Sequence, residues 1–237
     1  IAGGMSMFIL LPALFSLRGE KNILSVGFFR TCRFSELFSR LYTASFNGDY
    51  GACLPNIYCG AVIAFLVILY FFNKNIARRE RILTGLFMLF LLLNFYINTF
   101  NVAWHGFNQP IGFLYRYSFM LTFLMLISAF RGYMQYEGCR NRAGVIVMAV
   151  LYAGYSVFLI ISRNKYTGIR QILADGCILA VLIAAVCLQN RVSKKAVIII
   201  LMLIQAADLS YSAYDAIGKY DLASLSDYQK YINDTGK

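Results

Sequence analysis

Charge is the first thing this 237-residue chain lacks. Asp, Glu, Lys and Arg make up only 14% of it, where a soluble globular domain carries about 25%. So little charge cannot clothe a water-facing surface, which excludes a single soluble core of ordinary composition. Chemistry-bearing residues are scarce too: there is one His, one Trp and three Pro. One His and six cysteines without a CxxC pair leave no zinc-type ligand set, so neither a metal nor a cofactor is expected. No P-loop, nucleophile elbow or glycine-rich phosphate cradle occurs.

Apolar residues take the place of charge. The chain is 59% hydrophobic and 16% aromatic, with a mean hydropathy of +0.62. They come in unbroken blocks of about 17–20 residues, the length that crosses a hydrocarbon slab, and not in the alternation of amphipathic core helices. The expected fold is all-α: a polytopic transmembrane helix bundle of about seven spans, at 1–17, 57–72, 82–102, 117–130, 143–161, 172–188 and 196–211. Between the first two, residues 18–56 mix Phe34, Leu37, Phe38, Leu41 and Tyr42 with Arg30, Arg33, Glu36 and Arg40, which reads as an amphipathic helix at the membrane interface. Residues 1–210 then form a transmembrane domain, and 211–237 turn polar. The chain begins with Ile, and 1–17 has neither the charged leader nor the cleavage site of a signal peptide, so it is expected to be part of something longer.

The net charge is +11, but the basic residues form short clusters between apolar blocks, with no stripe or motif for nucleic acid. Loops 73–81, 131–142 and 190–195 hold ten Lys or Arg, a density that places them on the cytoplasmic side. The 18–56 loop, the 103–116 loop and the C-terminal tail then share the outer face. Cys32 and Cys53 lie in that outer loop and could pair there, although separate thiols are the simpler expectation.

Polar residues inside such a chain mark candidate sites. Asn94, Asn98, Asn101 and His105 follow one helical face. Asn94 and Asn98 suit helix–helix packing, whereas Asn101 and His105 stand at the outer mouth beside Trp104, an interface anchor or a pocket contact. Arg116 opens the next span at the same level, flanked by Tyr115 and Tyr117, read as interface-belt aromatics. His105 and Arg116 across a short loop suit an anionic head group such as a lipid phosphate, with Asn101, Trp104 and Tyr115 lining the pocket. Gln205, Asp208, Ser212 and Asp215 form a second stripe. Asp208 is open to three readings: a base, a counter-ion for Arg116, or a helix-end acid. Asp175 reads as a cap or the partner of Arg170, and Glu36 and Asp49 as solvated acids.

Trp104-His105-Gly106-Phe107 followed by Pro110, then Tyr115-Arg116-Tyr117-Ser118-Phe119, resembles the bacterial YfhO membrane-protein family. Leu54-Pro55-Asn56-Ile57-Tyr58-Cys59-Gly60 and Ala206-Ala207-Asp208-Leu209 add softer support. The resemblance implies a GT-C glycosyltransferase of the bacterial plasma membrane, moving sugar from a polyprenyl-phosphate donor to a cell-envelope polymer such as lipoteichoic acid on the outer face. It implies that His105 and Arg116 hold the donor phosphate, that the catalytic base lies in an outer loop beyond this chain, with Asp208 the weak candidate within it, and that 211–237 leads into an extracytoplasmic C-terminal domain. The rival readings are a lipid or polysaccharide transporter, whose polar stripe would continue to the cytoplasmic side, and a non-catalytic cell-wall assembly scaffold. Between Ile82 and Leu93 the only uncharged polar side chain is Thr84, which favours an outward-only pocket over a transport route.

Overall fold

The computed structural model describes residues 30–46, 54–105, 115–135, 142–164, 167–188 and 193–219. Among them are eight helices and no strand: α1 (Phe34–Ser39), α2 (Ala61–Phe72), α3 (Arg78–Tyr96), α4 (Asn98–Trp104), α5 (Ser118–Met134), α6 (Arg142–Ile161), α7 (Ile169–Leu188) and α8 (Lys194–Gly218). The all-α expectation stands. Two stretches, Ala143–Ile161 and Lys195–Gly218, are long and apolar enough to cross a membrane by length and composition. The expected block at 1–17 lies outside the described residues.

α2 is the hub. Its sequence, AVIAFLVILYFF, is apolar on every side, and a helix with no polar face has to be surrounded. It packs against α3, α5, α6, α7 and α8, burying Ala61, Val62, Phe65, Leu66, Leu69 and Tyr70. The approach of α5 depends on Gly132, where a Cβ would stand 3.1 Å from the Tyr70 Cα. Asn73 ends α2 and donates its amide to the Gly132 carbonyl at 3.2 Å. The outward faces stay apolar: Leu86, Phe119, Phe123, Ile146 and Met202 are all more than half exposed, as side chains meeting lipid would be.

Two expectations change. The span at 82–102 is not one helix: α3 stops at Ile97, whose backbone is extended and pairs with Arg30 in an antiparallel bridge. The Thr31 hydroxyl donates to the Phe95 and Tyr96 carbonyls at 2.6 and 3.0 Å, satisfying α3's last carbonyls so that the chain can restart as α4. The interfacial amphipathic helix gives way to the six-residue α1, followed by an irregular segment driven into the bundle. Leu37, Ser39, Arg40, Tyr42, Thr43, Ala44 and Ser45 are all buried. Polar side chains made that segment look like a surface. The segment is instead bonded from around it: Tyr155 OH donates to the Ser35 carbonyl, Thr167 Oγ1 to the Ser39 carbonyl at 3.3 Å, and its own Tyr42 OH pairs with Ser156 Oγ at 2.9 Å. Burial pushes the Tyr42 phenol up to about 12.

Candidate functional site

The two polar stripes build two different clusters. In the first, Asn94, Asn98 and Asn101 are all buried. Trp104 Nε1 donates to Asn94 Oδ1 at 2.9 Å, and Tyr117 OH donates to the Asn94 carbonyl at 2.9 Å and to Asn101 Oδ1 at 3.3 Å. The Tyr117 ring stacks between Trp104 and Phe95, with centroids 5.0 and 5.1 Å away. Tyr115 and Tyr117 are therefore core residues, a correction to the belt reading. A buried phenol with two acceptors holds α3, α4 and the start of α5 together and has no call on an interface.

His105 ends α4 with Nδ1 2.8 Å from the Asn101 carbonyl. A carbonyl only accepts, so Nδ1 carries the proton. Nε2 is buried and has no partner among the described residues. Arg116 is exposed, one residue before Tyr117, whose ring lies 6.2 Å from the imidazole. Of the two candidate phosphate ligands, His105 therefore packs edge-on to the aromatic stack, and Arg116 adjoins it in sequence. Asn101, Trp104 and Tyr115, expected to line a pocket, belong to that stack and its amide partners.

The second cluster is the more elaborate. Asp175 in α7 and Asp208 in α8 are both buried, with 2% and 5% exposure, and Thr43 lies between them. Thr43 donates its backbone N–H to Asp175 Oδ2 at 3.1 Å, and its hydroxyl contacts Asp175 Oδ1 and Asp208 Oδ1 at 2.9 Å. Asp208 also accepts from Tyr58 OH and from the Ala61 N–H at 2.9 Å. None of these partners is Arg116, and α8 runs ten residues beyond Asp208, so it is neither that arginine's counter-ion nor a helix-end acid. Asp175 is likewise neither a cap nor bonded to Arg170: it faces inward to Thr43.

The rest of the second stripe holds the same irregular segments. Gln205 Nε2 donates to the Cys59 carbonyl at 2.8 Å, Ser212 Oγ accepts from Ala44 N–H at 3.1 Å, and Asp215 pairs with Lys219 at 2.5 Å. Lys219 also reaches the Phe46 carbonyl at 2.6 Å. Ala44 sits in the left-handed region, φ 51°, which an L-residue adopts only when its surroundings impose it. Gln171 imposes it as well, donating to the Ala44 carbonyl at 2.8 Å.

Two cavities meet this wall. An apolar one of about 420 Å³ is lined by Tyr42, Ile57, Phe65, Met88, Leu92 and Tyr152 among others, with Asp175 as its only acid. A smaller cleft of about 280 Å³ is lined by Tyr58, Ser212, Ala44, Ser45 and Asn56. Ile57 borders both. Asp175 thus stands on the wall of the apolar cavity, while Asp208 is tied to the second cleft through Tyr58, which lines that cleft and donates to its carboxylate.

Thr43 escaped sequence reasoning, and Tyr58 entered it only as part of the 54–60 motif and without a role, because both lie in irregular segments without periodicity. The one available signal is the small, hydroxyl-bearing run Thr43-Ala44-Ser45 directly after an apolar–basic stretch. Among the described residues no group of three His, Cys, Asp or Glu side chains could hold a metal. Glu36 accepts from the Arg33 N–H at 3.3 Å in an exposed bond at the start of α1. Cys53 and Asp49 lie outside the described residues. Thr43→Val is expected to lower stability by about 2–3 kcal/mol, because it withdraws the shared hydroxyl from two buried carboxylates; Thr43→Ser should retain most of the wild-type value. Denaturant titration of the detergent-solubilised protein measures both, and equal losses for Val and Ser would remove the hydroxyl from the account.

No curated protein and no solved structure matches the chain. The sequence profile described as bacterial membrane protein YfhO matches residues 1–237. With apolar outward faces, two helices of spanning length and a profile match along its whole length, the chain belongs to the YfhO family of bacterial membrane proteins.

Proposed function

We propose that this chain is part of a GT-C-type glycosyltransferase that crosses the bacterial plasma membrane about seven times. It takes sugar from a polyprenyl-phosphate donor and attaches it to a cell-envelope polymer such as lipoteichoic acid on the outer face. The observation that carries this reading is the buried pair Asp175 and Asp208 joined through Thr43, with Asp175 on the wall of an apolar cavity and Asp208 bonded to Tyr58 on the wall of a hydroxyl-bearing cleft. A lipid-linked sugar and a hydroxylic acceptor need those two environments with a carboxylate between them. The positive-inside distribution of Lys and Arg supports the outward orientation of that end and of the C-terminus.

The step would be an inverting displacement. A carboxylate takes the proton of the acceptor hydroxyl, the oxygen attacks the anomeric carbon, and the bond to phosphate breaks with the electron pair leaving on the phosphate. Asp208 uses three of the roughly four lone-pair directions of a carboxylate, leaving one for an acceptor hydroxyl. His105 and Arg116 would steady the departing phosphate. For His105 this requires the imidazolium, since Nδ1–H is given to Asn101 and only a protonated Nε2 can donate to a phosphate oxygen.

The test supplies polyprenyl-phosphate-linked sugar to membranes containing the whole protein and follows label in envelope polymer. Arg116→Ala is expected to abolish incorporation while leaving membrane insertion intact, because Arg116 is exposed and its loss empties no core position. Undiminished incorporation would remove Arg116 from the donor site. Incorporation that was never protein-dependent, with lipid movement across the bilayer in its place, would favour a transporter.

A further inference from the structure

α3 begins at the end of the bundle opposite the carboxylate pair, with Arg78, Arg79 and Arg81 in and just after its first turn. At 3.6 residues per turn, Arg78, Arg81, Ile82, Gly85, Leu86 and Leu89 share one side of the helix. With Phe71 they line a surface cleft of about 490 Å³, within the size range of small-ligand sites. Its composition is graded. Two guanidiniums stand at the rim, and below them Ile82, Leu86 and Leu89 are 48, 58 and 45% exposed. Gly85 gives the cleft its depth, since a Cβ there would stand 3.2 Å from the Phe71 ring.

The charge at the rim is not cancelled from within. Glu80, the acid of this turn, is engaged elsewhere: Arg131 donates Nε to its Oε1 at 2.9 Å and Nη2 to its Oε2 at 2.7 Å. That bidentate pair holds the Glu80 carboxyl below the ordinary carboxylate range. Arg78 is exposed and makes no ion pair among the described residues. Arg81 fixes its position by donating Nη1 to the Phe71 carbonyl at 2.7 Å, while its Nε is buried without a partner among the described residues. Ala77 offers no side-chain cap, so first-turn amides add to the anion-attracting field.

We infer that this cleft binds an anionic glycerophospholipid, its phosphate against Arg78 and Arg81 and an acyl chain along Ile82, Leu86 and Leu89. The gradient identifies the occupant. A soluble phosphate compound would use the rim and leave the apolar strip bare, whereas a lipid in the surrounding bilayer matches both parts at the depth where each lies. The site is remote from the proposed transfer chemistry and independent of it.

The experiment is native mass spectrometry of the whole detergent-solubilised protein titrated with phosphatidylglycerol, with phosphatidylcholine in parallel. Phosphatidylglycerol is expected to be retained preferentially. Arg78→Gln should weaken it about fivefold, the effect of one arginine near a membrane surface, and loses no internal bond. Gly85→Leu should weaken it by filling the cleft. Arg79→Gln removes the same charge from the same turn but borders no part of the cleft, so it should bind as wild type. Equal weakening by Arg79→Gln would reduce the effect to diffuse charge and overturn the site. So would unchanged binding in both Arg78→Gln and Gly85→Leu, equal retention of phosphatidylcholine, or displacement of the lipid by inorganic phosphate at comparable concentration.

Discussion

Asp208→Asn is expected to reduce sugar transfer by on the order of a hundred- to ten-thousand-fold, the range attributed to a positioned general base, while the protein still folds. The reasoning turns on what the amide can and cannot replace. Asp208 accepts from the Ala61 N–H on one oxygen and meets two hydroxyls, Tyr58 and Thr43, on the other. An asparagine can turn its oxygen to Ala61 and its NH₂ to the hydroxyls, which are able to accept as well as donate. The bonds survive, and only the capacity to take a proton is lost. The measurement is the initial rate of label transfer per unit of folded protein, with folding followed by thermal unfolding. A rate within about threefold of wild type would leave Asp208 as a structural tie between α8, α2 and the 43–46 segment and would move the base elsewhere.

That tie shows what a linear reading reaches and where it stops. The stripe Gln205, Asp208, Ser212 and Asp215 was legible because helical spacing puts polar groups on one face, and a face that cannot meet lipid must meet protein. Its partners were hidden. Thr43, Ala44, Tyr58 and Cys59 lie in irregular segments, where no period relates a residue to its neighbour, and they are 132 and 165 positions from Asp175 and Asp208 in the case of Thr43. Asp175 looked like a cap because it is near the start of a helix, a local cue that tertiary burial overrode.

The same division holds for the fold. The limits of α6 and α7 follow the apolar blocks to within a few residues, since such blocks leave the backbone no alternative to helix in hydrocarbon. The break at Ile97 left no mark: neither Pro nor Gly stands there, and the device that permits it is a threonine more than sixty residues away. Buried Tyr115 and Tyr117 were misplaced for a related reason. Tyrosine suits both an interface and a core, and what decides between them is tertiary: the Asn94 carbonyl and Asn101 amide for Tyr117, and the rings of Phe95 and Tyr117 for Tyr115.

Gly60→Ala is expected to lower stability by about 2–4 kcal/mol, from two sources that can be separated. Gly60 caps α2 at φ 102° and ψ 142°, a region essentially closed to residues with a side chain and worth about 1–3 kcal/mol of strain. A Cβ there would also fall 1.6 Å from Gln205 Nε2, so the amide must leave and its 2.8 Å bond to the Cys59 carbonyl goes with it, at roughly 1 kcal/mol. In the Gly60→Ala/Gln205→Ala double variant the overlap disappears but the dihedral strain stays, so the two substitutions should cost less together than the sum of each alone while remaining well below wild type. The site should feel the change as well, because Gly60 separates Tyr58 from Ala61 and both donate to Asp208; transfer per folded molecule is expected to fall in Gly60→Ala and not recover in the double variant. Denaturant titration of the four proteins reads the energies, and a Gly60→Ala protein within about half a kcal/mol of wild type would mean that the 54–60 segment is free to relax and does not position Asp208.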